Sequence, residues 1–388
     1  MKLGINGWRI HGQRTGVGRY LLNVVKNWTP EMVGGRFDEI NFYTPKPVDR
    51  AEVLLPENFR ERVLASNRPM LVWENVHMAR VATDDVMFCP SYSRPWLARG
   101  KTVVVTHDAV SQMYPELFPQ SARLFHNRLY GWSARHATLV ITDSEAARHD
   151  IAGCWGVPLS RIRVVYMAPA DIFKPLAPDD ERINEACERL TGSSAPFFLF
   201  VGKLSGRRNI PLLLEAFAEF KRSTQLPHRL LMIGLNIHDL NVSKLIVDLG
   251  ITESVKHCLY ISDEDLNLIY NAAEAFISPS TYETISLPVM EAQATGTPVI
   301  CIDTAGMRDI TGGAALLIPK LEVEEMHKAL SQLASDASLR HELSERGLAN
   351  ARRFSWQRCS AETLAVIEEA AHLSSPVRSV GASGVYPR

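Results

Sequence analysis

An excess of charge of one sign is the first thing this 388-residue chain lacks: 42 Lys and Arg stand against 43 Asp and Glu, a net of −1. That balance removes the global electrostatic case for a nucleic-acid partner. Long apolar runs are missing too. None reaches the roughly 18 residues that a spanning helix needs, and the chain enters its first strand-like segment at Lys2 with no signal-peptide core before it. Cysteine is sparse and scattered. Cys89, Cys154, Cys187, Cys258, Cys301 and Cys359 form no C-x-x-C pair, which argues against a disulfide framework or a zinc site and fits a reducing cytoplasm. The expected setting is cytoplasmic, with peripheral contact at the inner face of a membrane left open.

What is present is an ordinary globular composition, 46% apolar and 22% charged, in a chain long enough for two domains. Short β-rich apolar runs alternate with longer helical patterns, as βαβ units and parallel sheets require. In the first half the strand candidates are residues 2–6, 39–43, 86–89, 102–106, 138–142 and 163–166, with a helix beginning near Gly18. Residues 169–196 carry four prolines, a charged patch at 179–182 and a short helical stretch, and read as a connection. The pattern then restarts. Strands are expected at 196–201, 229–233, 255–259, 275–278, 299–302 and 314–318, and helices at 210–221, 242–249, 263–273 and 288–295. Helices at 323–335, 337–350 and 356 to about 373 follow, and the Ser-, Gly- and Pro-rich tail 374–388 is expected to be disordered. This predicts an α/β protein with a first Rossmann-like domain over 1–170, a linker over 171–195 and a second domain over 196–355. The helix 356–373 is expected to cross back to the first domain. Two doubly wound domains facing each other would hold a ligand in the deep cleft between them.

The stretch from Glu283 to Glu291 carries the most chemistry. Two carboxylates flank a Leu287-Pro288 step suited to a helix start, with Pro288 at the first helical position and Gly296 as the stop. Free N–H groups near Ile285, Ser286 and Leu287 could hold an anion, with the helix dipole adding to the attraction. The plain alternative is one solvated glutamate and one that merely complements the dipole.

Other motifs sit at predicted strand ends. Gly16 and Gly18, in Thr15-Gly-Val-Gly-Arg-Tyr20, allow close backbone approach to a diphosphate or sugar, or simply make a tight turn. His107 could donate to a phosphate or hydroxyl, with Asp108 capping the next segment. Lys203, Arg207 and Arg208 follow the first strand of the second half, where three cations would suit a departing diphosphate. Ser262 or Asp263 reads as a helix N-cap, with backbone groups nearby able to pair with a nucleobase edge. The arginines and aromatics of 120–136 fit either an interfacial helix or one buried and one solvated face; the second is the commoner arrangement.

Taken in order, these motifs resemble the retaining glycosyltransferases of family 4, which have the GT-B fold. The resemblance runs from Leu3 to about Leu373 and is strongest from Ser278 through the E-x7-E block to Gly296-Thr-Pro-Val, with Gly313-Ala-Ala-Leu-Leu-Ile-Pro319 after it. Supporting matches are Gly16-Val-Gly-Arg-Tyr20, His107-Asp108, Thr142-Asp-Ser-Glu145, residues 202–209 and Phe354-Ser-Trp356. The resemblance implies that Glu291 binds the ribose of a nucleotide and that Glu283 lies by the transferred sugar. It implies that Lys203 and Arg208 hold the diphosphate with help from Arg207, that Gly16, Gly18 and Asp263 belong to the donor site, and that His107 contacts the sugar or the reacting centre. No metal and no cofactor is implied beyond the nucleotide-sugar co-substrate, GDP-mannose or a UDP-sugar. The acceptor would be a glycan or a lipid-linked molecule, bound mainly by the first domain. A non-catalytic sugar-nucleotide-binding protein, an epimerase and a phosphorylase share the architecture; no cofactor-bearing lysine motif for the last is found.

The chain departs from the family pattern in places. Thr284 and Ser286 stand where glycines are common, and Lys203 and Arg208 stand where many members have Arg and Lys. Met167-Ala-Pro-Ala170 replaces a frequent Asn-Gly pair. The first departure bears on the sugar pocket, the second on the geometry of diphosphate contacts.

Overall fold

The computed structural model describes residues 1–11, 16–50, 53, 55–236 and 240–373. Thr15 of the first glycine loop and the tail 374–388 lie outside them. Two sheets organise the chain. The first contains β1 (Lys2–Asn6), β2 (Glu39–Thr44), β3 (Phe59–Val63), β4 (Val86–Cys89), β5 (Lys101–Val105), β6 (Leu139–Thr142) and β7 (Ile162–Val164), in the order β3-β2-β1-β4-β5-β6-β7. The second contains β8 (Phe197–Val201), β9 (Arg229–Ile233), β10 (Val255–Cys258), β11 (Ala275–Ser278), β12 (Val299–Ile302) and β13 (Leu316–Ile318), in the order β10-β9-β8-β11-β12-β13. All five pairings of the second sheet are parallel. Strand order reverses between β1 and β4, and again between β8 and β11. In such sheets ligands bind beyond the carboxyl ends at the reversal.

The second sheet is apolar on both faces because helices cover both. Successive residues of β8 point to opposite sides: Phe198 and Phe200 join Leu213, Phe217 and Phe220 of the helix Ile210–Thr224. Phe197 and Leu199 join Ile269, Tyr270 and Val289, from the helices Asp263–Ala272 and Leu287–Thr295. The segment read as a linker adds to this second cluster. Its helix Glu181–Thr191, capped by Asp180 and stopped by Gly192 at φ 72°, sends Arg189 to Asp265 at 2.6 Å, and Phe173 joins the core.

The strand expectations hold to within one or two residues, with one exception. β3 reads Phe-Arg-Glu-Arg-Val and was not expected, since its charged residues suit an edge strand rather than a buried one. A helical stretch over Met70–Val72, Trp73–Met78 and Ala79–Val81, whose middle part is π-helical, was also missed. So was the helix Glu145–Trp155. The helix Leu287–Thr295 opens one residue earlier than expected, so Pro288 takes the second position, where an N–H still has no intrahelical partner. Gly296 ends it at φ 82°.

Packing divides the chain into two compact units. One joins Met1–Val105 to His136–Val140 and to the chain from Ala361 onward; the other joins Thr106–Arg135 to Ile141–Ser360. Within the first, the helix Trp356–His372 places Thr363 3.2 Å from the Tyr20 hydroxyl and Glu368 2.9 Å from Arg36, and Lys101 donates to the Ala371 carbonyl at 2.7 Å. Within the second, the helix Gln120–His136 buries Leu129, Gly131, Ser133 and Ala134 and leaves Leu124 and Phe125 exposed. No helix among the described residues is long and apolar enough to cross a membrane.

A buried polar link fixes the helix that carries Glu291. Asn350 Nδ2 donates to Gln293 Oε1 and to the Ile310 carbonyl, both at 2.7 Å, and Gln293 Nε2 donates to the Ala314 carbonyl at 2.9 Å. Replacing Asn350 by Ala leaves two buried acceptors short of a donor. The expected loss is about 2 kcal/mol of stability, read from denaturant or thermal unfolding.

Candidate active site

The second sheet builds its site from two loops at the strand-order reversal. After β8 the chain turns at Gly202, φ 146°, where a Cβ would lie 1.8 Å from Arg208 Nη1. After β9, Gly234 sits at φ 147°, where a Cβ would lie 2.0 Å from the Gly202 carbonyl oxygen. Both positions need glycine, for conformation and for space. The guanidinium of Arg208 thus lies across bare backbone, with Nη1 donating to the Val201 carbonyl at 3.3 Å. Asn209, at φ 47°, joins this loop to the one after β11 by donating to the Pro279 carbonyl at 2.7 Å and to Thr281 Oγ1 at 2.8 Å. Thr281 N donates back to the Arg207 carbonyl at 3.0 Å.

That stitching delivers Glu283. It is 6% exposed, with Oε1 3.0 Å from Arg208 Nη2 and 3.6 Å from Arg207 Nη2. Oε1 nonetheless forms no aligned hydrogen bond, so the contact is an ion pair held by charge rather than direction. Behind it, a Cβ at Gly306 would lie 2.1 Å from the Glu283 carbonyl oxygen, so the loop rests directly on the helix Ala305–Thr311. Ile285, Ser286 and Leu287 then lead into the helix Leu287–Thr295. Ser286 occupies the N-cap without a side-chain capping bond, whereas Ser144, Ser262 and Thr304 each cap their own helices. One turn on, the buried Glu291 accepts from the Tyr270 hydroxyl at 3.1 Å.

His107 reaches the same unit from the end of β5. Its Nδ1 lies 2.6 Å from Asp143 Oδ2, and its carbonyl accepts from Thr284 Oγ1 at 3.3 Å. Burial works against a charged ring here. The charge and hydrogen bond of Asp143, with Asp108 behind, outweigh it, so the imidazolium keeps its proton above the usual 6.5. Asp108 Oδ1 accepts from Val110 N at 3.1 Å and so caps the next segment. Tyr282, between the arginines and Glu283, accepts from Arg207 Nη1 on its carbonyl at 2.8 Å, and its hydroxyl donates to Asp150 at 2.7 Å.

Residues 187–349 match the family model described as glycosyl transferases group 1. That stretch of the chain is similar to the group 1 glycosyl transferases. Over 367 residues it is 25% identical to the O-antigen chain mannosyltransferase B of Escherichia coli, covering 90% of this chain and 95% of that one. Among solved structures, a glycosyltransferase from Rickettsia africae ESF-5 aligns with a TM-score of 0.70 at 17% identity, covering 96% and 99% of the two chains. Anabaena HepE in complex with UDP and glucose aligns at 0.71 and 18%, covering 94% and 99%. The fold is therefore GT-B, two Rossmann-like parallel sheets with their helices.

The second compact unit brings Arg207, Arg208 and Glu283 together and ties His107 to the Glu283 loop through Thr284. Thr284 spends its hydroxyl on the His107 carbonyl. Lys203 is exposed and forms no ion pair among the described residues. Asp263 opens the helix Asp263–Ala272 under the cap of Ser262, with no hydrogen bond or ion pair to the Glu283 loop among the described residues. Gly16 and Gly18 lie in the first turn of the helix Gly16–Lys26 of the other unit, Gly16 exposed and Gly18 buried. Sequence reasoning gave no role to Asp143, Tyr270, Asn209 or Gly306. Asp143 and Asn209 stood inside matched motifs without an assigned part, and Tyr270 and Gly306 stood outside them.

The raised His107 value has a signed consequence. A histidine whose folded pKa exceeds its unfolded value adds stability that is complete below about 6.5 and is lost as pH rises through the folded value. The melting-temperature gap between wild type and Asp143→Asn should therefore be widest near pH 5.5 and shrink toward pH 9, as checked by thermal scans across that range.

Proposed function

We propose that this protein is a retaining glycosyltransferase that moves a sugar from a nucleotide-diphosphate sugar to a glycan or lipid-linked acceptor without a metal ion. The observation that carries the reading is the convergence of Arg207 and Arg208 on Glu283, beside the helix start at Leu287 that no side chain of Ser286 caps. Two guanidinium groups and the first-turn amides, with Lys203 at the loop's edge, are suited to a diphosphate and to the charge it gains on leaving. Glu283, held between them, would face the transferred sugar. Glu291, braced by Tyr270, would take the ribose hydroxyls. His107, oriented by Asp143, would contact the sugar or the reacting centre.

In the step itself the bond between the anomeric carbon and the diphosphate oxygen breaks, and the acceptor hydroxyl bonds to that carbon on the same face. Its proton passes to the departing phosphate oxygen, so no protein base is required. The likeness to a mannosyltransferase of O-antigen chains favours GDP-mannose as donor and a saccharide as acceptor; the likeness to HepE keeps a UDP-sugar in view. We place the activity in the cytoplasm; a lipid-linked acceptor would bring it to the inner face of the membrane.

Thermal scans with GDP and UDP should show a raised melting temperature with the nucleotide of the true donor, because a ligand that binds the folded state stabilises it by mass action. Glu283→Gln should lower the rate of sugar transfer roughly 10²–10³-fold while keeping that protection. Turnover close to wild type would remove Glu283 from the mechanism. Transfer should also survive excess EDTA, and its loss would refute the metal-free reading.

A further inference from the structure

The first sheet has its own reversal of strand order, between β1 and β4, and the residues there are built as a binding site. Glu74 is completely buried, on the π-helical stretch Trp73–Met78, a distortion that frequently marks functional positions. Its Oε2 accepts from Ser93 Oγ at 2.7 Å, while Oε1, equally buried, has no hydrogen-bond partner among the described residues. A buried carboxylate oxygen left in that state is costly unless something else supplies a donor. Ser93 itself is set by strain. Tyr92, between Ser91 and Ser93 just beyond β4, sits at φ 58°, a region that a bulky residue rarely adopts and that clusters at functional sites. The same turn presents Ser91, which accepts from Arg9 Nε at 2.9 Å in the loop after β1. Beside Arg9, the half-buried Trp8 packs on Trp73 with ring centroids 5.4 Å apart.

A carboxylate, a guanidinium, two oriented hydroxyls and an indole face make up the chemistry that recognises a saccharide: charged acceptors and donors for the hydroxyls, a flat apolar surface for the ring. We propose that Glu74 is a saccharide-binding residue of the first unit, accepting a hydroxyl hydrogen from the sugar acceptor on Oε1, with Trp8 and Arg9, held by Trp73 and Ser91, contacting the same sugar. The inference rests on the glycosyl-transfer reading and extends it by assigning an acceptor contact. Burial raises the Glu74 carboxyl to about 7, against the opposing pull of the Ser93 hydroxyl, Arg94 and Arg9. The nearby Cys89 thiol is pushed high by its own burial and then by Glu74, and stays neutral. Only the ionised carboxylate accepts with full strength, so saccharide affinity should rise as pH increases through about 7.

The test is saturation-transfer NMR with methyl α-D-mannopyranoside on the full chain. Wild type should give a bound signal, and Glu74→Gln should weaken binding about tenfold or more and flatten its pH dependence. Arg9→Gln, at a half-exposed side chain, should weaken it too and guards against a folding defect in the first variant. Protection by GDP or UDP in thermal scans reports separately on the second unit. Saccharide binding unchanged in both variants, or absent in wild type, overturns the assignment; if nucleotide protection and donor turnover persist, glycosyl transfer stands without it. A wild-type protein that shows neither nucleotide protection nor donor turnover overturns the transfer reading and the acceptor contact together.

Discussion

Two guanidinium groups share a single buried carboxylate at the carboxyl end of the second sheet, and much of the surrounding backbone exists to make that possible. Gly202 and Gly234 clear the space across which Arg208 lies. Gly306 lets the backbone of Glu283 settle onto a neighbouring helix, and Asn209 sews the two loops together. Two cations face one carboxylate, a surplus of one positive charge beside a helix start that is itself positive. Such a site is incomplete by itself. Its surplus positive charge suits the arrival of an anion, such as the diphosphate of the proposed donor.

The two units use one strand order for opposite chemistry. At the reversal of the second sheet stand two guanidinium groups and a helix start that no side chain caps, a setting that attracts negative charge. At the reversal of the first stand a buried carboxylate with an open oxygen, two hydroxyls and an indole pair, tuned to neutral hydroxyl groups. Topology supplies the location in both cases, and the residues closing each strand supply the specificity.

Legibility in the sequence followed the range of the interaction. β8, β9, β11 and β12 were readable because strands covered on both faces are continuous apolar runs bounded by Gly and Pro. β3 was unreadable because three of its five residues are charged and its stability comes from pairing with β2. The Glu283–Glu291 spacing was visible as a local motif. Its partners were not: Tyr270 lies 21 residues before Glu291, and Asp143 lies 36 after His107. Glu74 escaped notice entirely, since a glutamate among Trp73, Asn75 and Val76 looks solvated until the fold removes the water.

Tyr282 has a mechanical meaning beyond its place in the chain. Its carbonyl holds Arg207 and its hydroxyl holds Asp150, while its ring lies 4.9 Å from that of Tyr114. One side chain therefore fastens a charge-bearing loop to the helix Glu145–Trp155 and to the segment after Val110. A guanidinium mounted this way is stiff, not tethered on a loose loop. An anion that fits meets a cation already in position, and one that demands a different spacing must bend a helix to be held.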